Sequence, residues 1–231
     1  MVTVVAEKRR IIIGLLLSVV ALAGVAVAYA GDPGTGVVTG VVHVSARGTA
    51  KADGSGVVLY LVGFEEPPVA AVPELQQKDK NFQPPVLAIT AGQSVSFPNQ
   101  DAYFHNVFSL SPTRSFDLGQ YQKGETRIRP FLKTGVVEVY CNIHPQMAAT
   151  ILVLPNRRFA RTDAAGHFRI EGVPPGQWSL FAYDRLAMQP VKAQVTVAAG
   201  GKAEVDLRID ETRDLTHTNK FGQAYGSGGY R

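Results

Sequence analysis

Tyr140-Cys141-Asn142-Ile143-His144-Pro145-Gln146-Met147 places the only cysteine of the chain, a histidine and a methionine at three-residue intervals. A thiolate, an imidazole and a thioether on so short a segment are soft donors of the kind that select copper. A second imidazole stands upstream in Phe104-His105-Asn106-Val107, soon after the strand-like run Ser94-Val95-Ser96-Phe97-Pro98-Asn99. Two histidines and a cysteine, with a methionine on a long axial bond, make the ligand set of a copper centre that passes single electrons. A lone cysteine excludes an intramolecular disulfide framework, which leaves metal ligation against the plainer reading of a small buried hydrophobe.

Outward from this loop, residues 84–154 alternate short apolar runs with turns. The runs are Val86 to Thr90, Ser94 to Phe97, Val107 to Leu110, Glu125 to Phe131, Val136 to Tyr140 and Ala149 to Leu154, with turns at Ala91-Gly92 and Thr134-Gly135. Strands of this length and spacing predict a two-sheet sandwich with its loops gathered at one end. His105 and the Cys141 loop both fall at strand ends, where two loops can converge on one metal.

From about Asn81 to Leu154 the residues resemble the small cupredoxins, amicyanin and plastocyanin. The resemblance rests on Phe82-x-Pro84, Leu87-Ala88-Ile89-Thr90-Ala91-Gly92-Gln93-Ser94-Val95-Ser96-Phe97, Asn99, His105-Asn106-Val107 and the Cys141 loop, whose Cys-x2-His-x2-Met spacing is similar to amicyanin. Where that family carries proline before the first ligand histidine, this chain has Phe104. The resemblance implies a Greek-key β-sandwich with one type-1 (blue) copper ion on His105, Cys141, His144 and Met147. Asn106 would tie the two ligand loops together and Asn99 would brace the same corner. It also implies that electrons cross at His144, with Pro145, Phe104 and Pro112 as apolar neighbours, to a redox partner protein such as a cytochrome or a periplasmic dehydrogenase.

The flanking regions carry no such chemistry. Gly36-Val37-Val38-Thr39-Gly40-Val41-Val42-His43-Val44 and Gly56-Val57-Val58-Leu59-Tyr60-Leu61-Val62-Gly63 read as two strands, and residues 64–83 as a connection that holds the first cupredoxin strand near Leu75 to Phe82. After Pro155, Phe168 and Ile170 share a strand face, Val173-Pro174-Pro175-Gly176 is a stiff turn, and Val205, Leu207 and Ile209 alternate with Glu204, Asp206 and Arg208. Residues 36–63 and 156–209 resemble the two halves of a carboxypeptidase-regulatory-like, transthyretin-like module. The whole chain is similar to exported proteins of that combination labelled methylamine-utilisation-like. Arithmetic favours one discontinuous sandwich of 36–63 with 156–209, with a cupredoxin domain at 70–155 inserted in it. Residues 210–231, with Gly, Tyr, Ser, Asn and Lys but no period, read as a disordered tail in which His217 is idle.

Lys8-Arg9-Arg10, the apolar run from Ile11 and Ala28-Tyr29-Ala30 have the layout of a signal peptide over 1–30, or of an N-terminal anchor, since the run is long. Either places the remainder outside the cytoplasm: periplasmic or secreted, or anchored on the outer face of the inner membrane, with membrane contact only through an uncleaved leader. Without Glu7, Lys8, Arg9 and Arg10 the chain has 20 basic and 18 acidic residues, which gives no basic patch for nucleic acid. The five histidines (His43, His105, His144, His167, His217) form no His-x-His pair of the kind catalytic copper uses, so the chain reads as a carrier and not an enzyme. Copper storage or delivery would call for Met- or His-rich tracts, and only Met1, Met147 and Met188 occur. A structural β-module with a vestigial metal site is the third reading.

Overall fold

The structure is a computed structural model that describes residues 34–225. The expected leader therefore lies outside the described residues. Among those residues the protein is all-β, and no helix is long and apolar enough to cross a membrane. The strands are β1 (Gly36–Ala46), β2 (Thr49–Ala50), β3 (Val58–Val62), β4 (Gln76–Lys78), β5 (Asn81–Gln83), β6 (Val86–Thr90), β7 (Ser94–Pro98), β8 (His105–Ser111) and β9 (Arg114–Tyr121). They continue as β10 (Thr126–Pro130), β11 (Gly135–Cys141), β12 (Ala148–Leu154), β13 (Phe159–Arg161), β14 (His167–Val173), β15 (Gly176–Tyr183), β16 (Val191–Val197) and β17 (Lys202–Glu211).

The middle of the chain forms one sandwich. A five-stranded sheet in the order β6-β12-β11-β8-β9 faces the pairs β7-β10 and β4-β5 across a core that includes Phe82, Phe97, Phe131, Val137, Val139 and Ile151. The segments before and after it meet in a second sandwich. Here β1 lies between β14 and β17 and faces the sheet β13-β3-β15-β16 across Val38, Val42, Leu59, Leu61, Ile170 and Leu180. Gly40 has to be small because a Cβ there would collide with the Val205 carbonyl of the neighbouring strand and crowd the Phe168 ring.

A third, smaller core joins the two sandwiches through Val58, Val86, Leu152, Leu154 and Tyr183. This explains why β12 reads as an unbroken apolar run. Ala149, Ile151 and Val153 face the first core while Leu152 and Leu154 face the third, so both sides of the strand are dry.

Two local expectations are corrected. β9 does not stand out in the sequence because it is an edge strand whose exposed Ser115, Asp117 and Gln120 interrupt its apolar positions. Residues 212–225 are not a structureless tail. They fold back on the Cys141 loop through polar bonds and ring contacts, which leave no apolar period in the sequence.

Candidate metal centre

The period of two brings the donors together. On β11, Val137, Val139 and Cys141 form the inward row, while Val136, Glu138 and Tyr140 point outward. Met147 continues the inward row of Ala149, Ile151 and Val153 on β12, and is itself fully buried in the same core. β8 starts at His105, antiparallel to β11, so that Cys141 pairs with Val107. The starts of β8 and β12 and the end of β11 thus share one end of the sheet, and the rows that fill the core finish in His105, Cys141 and Met147. His144 is carried by the loop that links two of them.

The loop is held by its own backbone. The Cys141 amide donates to the Met147 carbonyl (3.1 Å) and the Met147 amide to the His144 carbonyl (3.0 Å). The Asn142 amide donates to the Asn106 carbonyl (3.0 Å), which joins the two ligand-bearing segments. The sequence reading gives that role to Asn106, and the contact is made by its backbone. The Asn106 side chain turns instead to β9, where it donates to Asp117 (2.5 Å) and the Gly119 carbonyl (2.9 Å). Asn99 braces the corner by donating to the carbonyls of Tyr103 (2.9 Å) and Tyr121 (3.0 Å).

His105 Nδ1 lies 3.1 Å from His144 Nδ1, and the Cys141 sulfur lies 3.8 Å and 3.9 Å from those two nitrogens. Separations of this size would let one ion reach all three donors, since metal bonds of about 2.0–2.1 Å to imidazole and about 2.3 Å to thiolate span them. Two imidazoles and one thiolate, with the Met147 side chain buried in the same core, are the donor types of the His2Cys sites that take copper, whereas structural zinc sites close with four Cys or His donors.

Asp101 completes the site, and the sequence reading overlooked it. Its Oδ2 accepts a hydrogen bond from His105 Nε2 (2.9 Å), which puts the ring proton there and leaves the Nδ1 lone pair for a metal. Its carboxylate also accepts the amides of Asp79 (2.7 Å) and Lys80 (2.9 Å), two consecutive residues with φ of 55° and 53° in the β4–β5 hairpin turn. Burial alone would raise the Asp101 carboxyl, but the Lys80 amide, His105 and the Asp79 amide outweigh it and hold the group below the usual carboxylate range. The available signal was a carboxylate four residues before a candidate ligand.

Burial pushes the Cys141 thiol up, against the amides of Asn106, His144 and Ile143 that favour its thiolate. A bound cation reverses that balance, since a coordinating thiol is deprotonated outright. Burial, with His105 and Lys80 beside it, lowers His144, which keeps the imidazole neutral and able to ligate. His144 is half-buried. Around it Tyr103 (55% exposed), Phe104 (54% exposed) and Pro145 reach solvent, with the Tyr103 ring 6.3 Å from that of His144. Pro112 does not belong to this surface. It follows the far end of the seven-residue β8, next to Thr113, which packs on Gly135 at the opposite end of β11.

No protein-family model matches the chain, and no curated protein matches it in sequence. Among solved structures it is similar to a copper-containing nitrite reductase from Thermus scotoductus SA-01, at 26% identity over 38% of this chain and 25% of that one, with a TM-score of 0.35. It is also similar to a reduced amicyanin carrying a tryptophan-to-tyrosine substitution (18% identity, 42% of this chain, 98% of that one, TM-score 0.35). A third is a purple cupredoxin from Nitrosopumilus maritimus (21% identity, 36% of this chain, 99% of that one, TM-score 0.33). These likenesses are to cupredoxins. The chain spans about a quarter of the nitrite reductase and nearly all of the two smaller proteins.

Proposed function

We propose that the protein is an exported one-electron carrier, with one type-1 copper ion held by His105, Cys141, His144 and Met147. The observation that carries this reading is the convergence of His105 Nδ1, His144 Nδ1 and the Cys141 sulfur at 3.1, 3.8 and 3.9 Å. Bound copper supplies a one-electron couple. The residues supply the rest. Asp101 holds His105 in the ligating tautomer, the Ile143 amide points at the Cys141 sulfur (3.4 Å), and rows of packed strands keep the donors in place.

His144, with Phe104, Tyr103 and Pro145, forms the part of the site nearest to solvent, and we place the docking of a redox partner there. A soluble cytochrome or a periplasmic dehydrogenase fits that role. A carrier is favoured over a catalyst because His43, His167 and His217 are engaged elsewhere, with Asp206, Asp163 and the Pro145 carbonyl. We further read 70–155 as a cupredoxin domain inserted in a carboxypeptidase-regulatory-like sandwich of 36–63 with 156–209.

The test is the visible spectrum and voltammetry of the full chain loaded with copper. A strong thiolate-to-copper band is expected. Cys141→Ser should abolish the band, while Met147→Leu should keep it and move the potential, because the axial bond is weak. A colourless wild type overturns the reading. A coloured protein with no reversible voltammetric wave favours copper storage or delivery over electron transfer.

A further inference from the structure

Four side chains from outside the copper-binding sandwich converge with Lys220 on the outer side of its ligand loop. Arg185, between β15 and β16, donates Nη1 to the Ala148 carbonyl (2.9 Å) and Nε to the Thr150 hydroxyl (3.1 Å). Beyond β17 the chain turns back towards the site, where Arg213 pairs with Glu138 on β11 (3.2 Å). His217 stacks on Tyr140 (ring centroids 4.1 Å apart, planes at 23°), and its Nε2 donates to the Pro145 carbonyl (2.7 Å). The Lys220 amide donates to the Asn142 side chain (3.0 Å), and its Nζ pairs with Asp117 (2.8 Å). Tyr225 packs edge-on against His217 (5.2 Å), and its hydroxyl donates to the Cys141 carbonyl (2.7 Å).

The pattern is selective. The bonds that close the ligand loop on itself use the carbonyls of His144 and Met147. The carbonyls of Cys141, Pro145 and Ala148 are taken by Tyr225, His217 and Arg185. The loop is therefore gripped at its start, middle and end by residues that are 37 to 84 positions away in sequence.

We propose that residues 212–225, with Arg185, are a positioning strap that holds the Cys141–Ala148 loop in one conformation through both oxidation states of the site. This rests on the copper reading. The geometry gives the strap two effects. It limits movement of the loop that carries His144, which sits between the gripped Cys141 and Pro145. It also directs the positive end of the Tyr225 O–H dipole at the carbonyl of the thiolate residue, which favours the more electron-rich, reduced state.

Tyr225→Phe removes the hydroxyl and keeps the ring, and Tyr225→Phe with His217→Ala removes two of the three grips. Two measurements on the full chain test the strap. In the metal-free protein, hydrogen exchange of the Asn142, Ile143 and Gln146 amides should rise at least tenfold in the double variant, with the amides of β1 and β17 unchanged as the control for global unfolding. In the copper-loaded protein, Tyr225→Phe should keep the thiolate band and lower the midpoint potential. Exchange within twofold of wild type together with an unmoved potential overturns the strap. Faster exchange across β1 and β17 as well assigns these residues to general stability, and also overturns it. A wild type without a thiolate band sinks the copper reading alone, because the exchange measurement does not depend on it.

Discussion

Asp101→Ala gives the sharpest test of how the site is built. The carboxylate accepts three donors: His105 Nε2, the Lys80 amide and the Asp79 amide. His105 is fully buried, so its orphaned N–H finds no water, and a buried donor without a partner costs about 1–3 kcal/mol. Asp79 is exposed and Lys80 half-exposed, so water repairs part of their loss and each costs nearer the net value of a bond, about 0.5–1.5 kcal/mol. The variant should therefore lose about 2–6 kcal/mol, a large share of the roughly 5–15 kcal/mol that holds a domain folded. Metal binding should suffer separately, because an imidazole whose Nε2 proton is no longer held can present the wrong tautomer, and such outer contacts are worth about 10–100-fold in affinity.

Asp101→Asn separates the two effects. Its carbonyl can still accept from His105 and Lys80 if its amide group faces Asp79, so it should lose one bond, about 0.5–1.5 kcal/mol, and keep the tautomer. Urea denaturation of the metal-free protein and competition with a chelator for copper read the two quantities. The expected order is wild type, Asn, Ala in both. If Asp101→Ala stays within about 0.5 kcal/mol of wild type and binds copper within twofold, the carboxylate does not position His105 and the reasoning fails.

Two further outcomes follow from other parts of the fold. Gly40→Ala should destabilise the chain by about 1–3 kcal/mol without changing the copper band, since the added methyl collides with the Val205 backbone far from the donors; urea titration and the spectrum of the same sample check both halves. Burial raises the Asp117 carboxyl, but Lys220, Asn106 and the Gly119 amide outweigh it and hold it below its ordinary 3.8. A depressed group contributes stability that is complete above 3.8 and is lost as pH falls through the lower folded value, so Asp117→Asn should flatten the stability profile only below 3.8; an equal change at neutral and acid pH would refute that linkage.

Side chains that bury themselves write a period into the sequence, and those parts of the fold could be read. Val137, Val139 and Cys141 alternate with more exposed neighbours, which made β11 legible as a strand, while Cys141 was singled out by its three-residue spacing to His144 and Met147. β6 and β12 were legible instead as short unbroken apolar runs, because both of their faces are largely buried. β9 hides because, at a sheet edge, Asp117 and Gln120 face solvent, so its pattern depends on neighbours more than on its own residues. Asp101 was within reach, four positions ahead of His105, but a carboxylate is recognised as a partner only once the ring nitrogen it faces is known.

The strap was beyond reach for a deeper reason. Tyr225, His217 and Arg185 bind backbone carbonyls, and every residue type offers the same carbonyl, so nothing in Cys141, Pro145 or Ala148 signals a distant donor. Composition alone makes 210–231 look idle, yet in 212–225 the rings and amides are spent on another segment instead of on a core of their own. A stretch that lacks period yet keeps aromatic and basic residues at intervals, as His217, Lys220 and Tyr225 do, is therefore better read as a segment whose partner lies elsewhere in the chain. Here that partner is the Cys141–Ala148 loop, whose carbonyls at its start, middle and end accept from Tyr225, His217 and Arg185.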